Sequence, residues 1–206
     1  MDPGAGNAIR PGADDNASGT AAVMELARLF AQHPTRRSLL FVNFSGEELG
    51  LLGSEYFVDH PPVPLDHIVA MINFDMVGRM QNDKLIVYGV ATASELPGIV
   101  DSANVAPPFD LAKLGDGYGP SDQSSFYGKD IPVLFLFTGE HADYHRATDV
   151  PSKIDVADEA RVVDFSARIV RAIAERAGRL TFIRTAAPAP MALGGGHDVW
   201  FGSIPD

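Results

Sequence analysis

Residues 67 to 76 read HIVAMINFDM, an apolar run without alternation that ends beside a carboxylate. A strand with one solvated face alternates polar and apolar residues, whereas one buried on both faces does not. SLLFVNF at 38 to 44 and IPVLFLFT at 131 to 138 have the same character, and KLIVYGV at 84 to 90 adds a shorter strand. Helical spacing separates them. From Ser18 or Gly19 to Ala31, Val23, Leu26, Ala27 and Phe30 form an apolar stripe, and Ser18 is placed to cap the start. LGLLGSEYFVDH at 49 to 60 is a second helix, stopped by Pro61 and Pro62. The third, 156 to 178, lines its inner face with Val162, Phe165, Ile169 and Ile173. Buried strands alternating with helices predict an α/β domain with a mostly parallel central sheet flanked by helices. In such sheets binding groups gather at the carboxyl ends of strands.

The bulk properties narrow the choices. At 206 residues, with 46% hydrophobic and 21% charged residues, the chain has material for one sizeable domain. A formal charge of -11 argues against a broad nucleic-acid footprint, which needs concentrated Lys and Arg. There are no cysteines, so neither disulfides nor thiolate ligands enter the chemistry. No apolar run is long enough to span a bilayer, and no membrane contact is evident in the sequence. Residues 91 to 130 are the least regular, and their centre, GDGYGPSD, reads as an active-site loop. The Phe, Tyr and Leu residues of 109 to 137 read as pocket lining or as core. From 182 onward AAPAP and GGG give the chain the character of a linker.

Two acidic doublets stand in glycine-bearing turns: Asp14-Asp15, and Glu47-Glu48 directly after a strand run. Asp75 and His145 also follow strand runs. Carboxylate and imidazole are donors that zinc accepts, and a catalytic site leaves a position open for water. Asp15, Glu48 and His145 make such a set, with His141 competing with His145 for the imidazole position. Asp75 suits a second metal bridged through Asp15. Glu47 is left to take a proton from a zinc-activated water as general base. Asp14 is assigned to loop structure. Each residue alone also has a plainer reading: Asp14 to Asn16 as a helix cap, Glu47 and Glu48 as first-turn charges, His145 as a surface histidine. Their common position beyond strand ends favours the metal.

GADDNASGTAAVMELAR, NFSGEELGLLGS, NFDMVG, PSDQSSFYGKDIPVLFLFTG and DYHRATD resemble, in order, the motifs of the bacterial zinc aminopeptidases of peptidase clan MH, over roughly residues 11 to 178. The resemblance implies a zinc-exopeptidase fold and an aminopeptidase acting on the amino-terminal residues of peptides. It implies Asp15 as a bridge between two zinc ions, Glu48 and His145 on one of them and Asp75 on the other. Glu47 becomes the base, Tyr144 an oxyanion donor, and Asp149 the group orienting His145. It points to a periplasmic or secreted parent.

The family's upstream zinc histidine has no counterpart here. The expectation is therefore a peptidase domain over 1 to 181 lacking N-terminal strands, with one firmly held zinc in place of two and self-association through the uncovered sheet. Residues 182 to 206 are expected to lead into an incomplete PDZ-like domain, on the strength of VWFGSIPD. Gln123, where relatives often carry histidine, is expected to touch substrate. The surviving single-zinc set also fits a glutaminyl cyclase-like enzyme, and a binding module with impaired catalysis remains open.

Overall fold

The computed structural model of the chain describes residues 8–186. Four strands form one mixed sheet: β1 (Met71–Phe74), β2 (Lys84–Tyr88), β3 (Asp110–Lys113) and β4 (Val133–Phe137), in the order β1-β4-β2-β3. β1 runs parallel to β4 and β2 parallel to β3, while β2 and β4 pair antiparallel. The sequence VLFLF of β4 explains its inner place. Leu134 and Leu136 face one apolar layer, Val133 the other, and all three are buried.

Helices cover both faces. α1 (Gly19–Gln32), α3 (Leu96–Ala103) and α5 (Val156–Ala174) supply Leu26, Phe30, Val100, Val162, Phe165 and Ile169 to the larger core. α2 (Leu52–Asp59) and α4 (Gln123–Tyr127) close the smaller one around Val58, Phe126, Tyr127 and Ile131. The inner stripe expected for α5 is buried as spaced. Asp155 caps it, accepting hydrogen bonds from the Ala157 and Asp158 N–H groups at 3.1 Å.

Several local expectations change. Ser18 does not cap α1; its hydroxyl donates to the Asp14 carbonyl at 2.8 Å and accepts the Val77 N–H at 3.1 Å. Asn16 takes the capping place, accepting the Gly19 N–H at 3.0 Å and donating to the Phe74 carbonyl at 2.8 Å. Gly19 permits that approach: a Cβ there would lie 2.2 Å from the Phe74 carbonyl oxygen.

Residues 38 to 44 are not a strand. They have no ladder partner among the described residues, and Leu40, Phe41 and Val42 are exposed. Strand-like sequence forms a strand only where a neighbour supplies hydrogen bonds. Leu39 and Phe44 still anchor the segment, the latter through ring contacts with Phe57 and Phe126 at 5.6 and 6.0 Å. β1 likewise has β4 as its one ladder neighbour among the described residues. Phe182 bridges to Ala93, and Tyr127 Oη accepts the Thr185 N–H at 2.7 Å, so the chain just past 181 still packs on the domain. The segment VWFGSIPD lies outside the described residues.

Candidate metal centre

The carboxyl end of β1 meets the first acidic turn, where Asn16 donates to the Phe74 carbonyl, and lines one cleft with the second. After Gly12, the chain kinks through Ala13–Ser18, where Asp15 and Asn16 leave helical geometry. The SGEELG turn opens at Gly46, with φ at 71°, and Glu47–Leu49 make a single 3-10 turn closed by Leu51 N–H to the Glu47 carbonyl at 2.9 Å. Both glutamates of this turn line the same cleft. His145 sits in a third turn with φ at 60°, a strained value for a residue with a Cβ, secured by Tyr144 and Arg146 N–H bonds at 3.0 and 2.9 Å.

These turns bring together Asp15, Glu48 and His145. His145 Nε2 lies 2.7 Å from Glu48 Oε1 and 3.2 Å from Asp15 Oδ2. One donor atom from each residue falls within 4.8 Å of the others, a single such triad among the described residues. Two carboxylate oxygens and an imidazole nitrogen, converging on one point from three turns, fit a zinc ion with a position left for water.

The electrostatics agree. The Asp15 carboxyl is pushed up to about 6, first by burial and then by Glu48. Burial, with Asp75 and Glu48 next in effect, raises the Glu47 carboxyl to about 8. Asp75 rises to about 6, chiefly through burial, against a lowering hydrogen bond from Ser121. Carboxylates crowded in a low-dielectric cleft favour their protonated forms, and a cation placed among them would favour the charged forms instead. Tyr144, stacked on the His145 ring at 3.8 Å, has its hydroxyl raised well above the ordinary range by burial and by the same carboxylates, so it remains a hydrogen-bond donor.

The remaining residues fall elsewhere. Asp75 is beside the triad and outside it: its Oδ2 accepts the Ser121 hydroxyl at 2.8 Å. His141 is not in the triad; its Nε2 is 3.1 Å from Asp14 Oδ2. Asp149 does not orient His145. Its carboxylate accepts the Asp14 N–H at 3.0 Å and the Asp15 N–H at 3.1 Å, so it holds the turn that carries Asp15. Gln123 is fully buried and accepts from Asn73 at 3.0 Å, which removes it from substrate contact.

Asp122 joins the site without having stood out in the sequence. It lines the cleft, raises Glu47, and leaves Oδ1 buried without a partner. Its one sequence signal is its place in the PSD triplet of the glycine-rich loop. The cleft, about 330 Å³, runs from Asp15, Glu47, Glu48, Asp75 and Asp122 to Val23, Val42, Phe44 and Met71. Phe109, Phe126, Tyr127 and Phe135 are core instead.

A family model, "Peptidase family M28", matches residues 3–170, and the chain belongs to that family. Aminopeptidase YwaD of Bacillus subtilis is 35% identical over 134 residues, which are 63% of this chain and 29% of that protein. Leupeptin-inactivating enzyme 1 of Streptomyces exfoliatus is 37% identical over 137 residues, 65% of this chain and 30% of that one. Among solved structures, a zinc aminopeptidase from Bacillus subtilis superposes with a TM-score of 0.72 at 26% identity, over 86% of this chain and 46% of its own. The chain therefore carries the α/β fold of known zinc aminopeptidases, and spans less than a third of the curated relatives it matches.

Proposed function

We propose that the chain is a metal-dependent hydrolase of peptide amino-termini built around one zinc. The observation that carries this is the convergence of Asp15, Glu48 and His145 on one point. Zinc bound there supplies Lewis acidity and lowers the pKa of its water. The chain's own groups do the rest. Glu47, lining the same cleft, accepts a proton from the attacking water and returns it to the leaving amine. Tyr144 donates its phenolic proton as a hydrogen bond to the oxyanion. The apolar end of the cleft, with Val23, Val42 and Phe44, receives the first side chain of the substrate. A periplasmic or secreted setting follows the family resemblance, and the β1 edge of the sheet, with β4 as its one ladder neighbour among the described residues, is the place where copies would associate.

The single triad among the described residues, which leaves Asp75 outside it, favours one-metal readings over a two-zinc aminopeptidase. A glutaminyl cyclase-like enzyme uses such a set, and a binding module with impaired turnover would keep it. Product analysis on the zinc-loaded chain separates the three. Release of free amino acid supports the peptidase, cyclisation of an amino-terminal glutaminyl peptide supports the cyclase, and zinc uptake without either product supports the module.

A further inference from the structure

Asp14 is a fully buried carboxylate in a domain that already crowds acids at one end. A buried charge persists only where hydrogen bonds replace water. Its Oδ1 accepts the Gly78 N–H at 2.7 Å, and its Oδ2 lies 3.1 Å from His141 Nε2. The His141 side chain is itself 2% exposed. On the other side of the ring, Nδ1 accepts the Asp143 N–H at 3.2 Å and faces Arg79 Nη1 at 3.1 Å. A guanidinium nitrogen has hydrogens to offer and no lone pair. Nδ1 therefore carries no proton, and the ring proton sits on Nε2, pointing at Asp14. The far end is pinned as well. Asp143 accepts Arg79 on one oxygen and Lys153 on the other, both at 2.7 Å.

The position of Asp14 gives this contact meaning. Asp14 precedes Asp15, Gly78 follows Asp75 in the same segment, and His141 opens the turn that carries His145. Three segments bearing candidate ligands thus meet on one buried carboxylate.

We infer that His141 is a positioning residue: through its Nε2–H it fixes Asp14, and with it the turn that presents Asp15 to the metal. This rests on the zinc reading above, and His141 itself touches neither metal nor substrate. The test contrasts two polar replacements in the full chain. The amide of His141→Gln reaches the place of Nε2 and can donate to Asp14, whereas the shorter side chain of His141→Asn cannot. His141→Met, close to glutamine in size but without a donor, separates loss of packing from loss of the hydrogen bond and should behave like the asparagine variant.

Zinc affinity is read by chelator competition, and amide hydrogen exchange at Asp15 and Gly78 is read on the metal-free protein. The asparagine variant is expected to bind zinc about 10- to 100-fold more weakly, the usual effect of losing a group that supports a ligand, and to exchange faster at both amides. The glutamine variant should stay close to the parent in both. Equal behaviour of the two variants overturns the inference. If the parent takes up no zinc the metal reading falls, and the exchange contrast alone decides whether His141 holds the turn.

Discussion

Two layers of acidic residues lie against each other beyond the sheet, and they differ in what satisfies them. In the lower layer Asp14 and Asp149 are almost wholly buried, yet their oxygens accept backbone N–H groups from Asp14, Asp15 and Gly78. In the upper layer Asp15, Glu47 and Asp75 are only partly buried, yet all three have carboxyls raised to between about 6 and 8. Degree of burial is therefore not what separates the two layers. The supply of donors is. Where the backbone provides them, a carboxylate is architecture; where it does not, the group waits for a proton or a cation.

The contrast can be broken by substitution, and the largest effect is expected at Glu47. Replacing it with glutamine should lower turnover by about 10²- to 10⁴-fold, the range for loss of a general base, while zinc affinity measured by competition stays intact. Unchanged turnover would remove Glu47 from the chemistry. His145→Ala should weaken zinc by more than the roughly 100-fold that loss of a supporting group produces. A smaller change would mean that the triad is not where the metal sits.

In the lower layer the effect is on folding. Asp149→Asn sets an amide N–H₂ against backbone N–H donors and should cost about 1–3 kcal/mol in denaturant unfolding, the penalty for buried donors left unpaired. If zinc affinity dropped with no change in stability, Asp149 would belong to the upper layer instead.

A subtler effect concerns pH. Asp15 and Asp75 are ordinarily near 3.8 and Glu47 near 4.5, and all three are raised in the folded chain. Between roughly pH 4 and 8 the folded state binds more protons than the unfolded one, so the stability from these groups falls as pH rises through that window. Thermal unfolding of the metal-free protein should show the fall, and added zinc, which takes the place of the protons, should flatten it. A stability that rose from pH 5 to 8 without metal would contradict the picture of unsatisfied carboxylates.

Much of this architecture is legible in the amino-acid sequence, for physical reasons. IPVLFLFT announces a strand buried on both faces, and β4 is an inner strand that pairs on both sides. The spacing of Val162, Phe165, Ile169 and Ile173 announces α5, because a 3.6-residue period has no other explanation. Acidic doublets in glycine-bearing turns point to Asp15 and Glu48, and place after a strand run points to His145, although the run before Glu48 forms no ladder among the described residues.

What stays hidden depends on contacts that leave little trace in sequence. β3 reads DLAK, too short and polar to stand out, and exists because β2 offers it a parallel edge. α4 is five residues held by burial of Phe126 and Tyr127. SLLFVNF carries strand chemistry but meets no ladder partner among the described residues. Asp149 cannot be assigned from its neighbours, since its partners lie 134 and 135 residues away.

In the proposed centre Asp15, Glu48 and His145, from three turns, hold one metal and Asp75 does not complete a second. Zinc content by elemental analysis, after loading and exhaustive dialysis, tests it most directly. One zinc per chain, lost in His145→Ala and kept in Asp75→Asn, is the predicted result. Two tightly held zincs, or none, would contradict it.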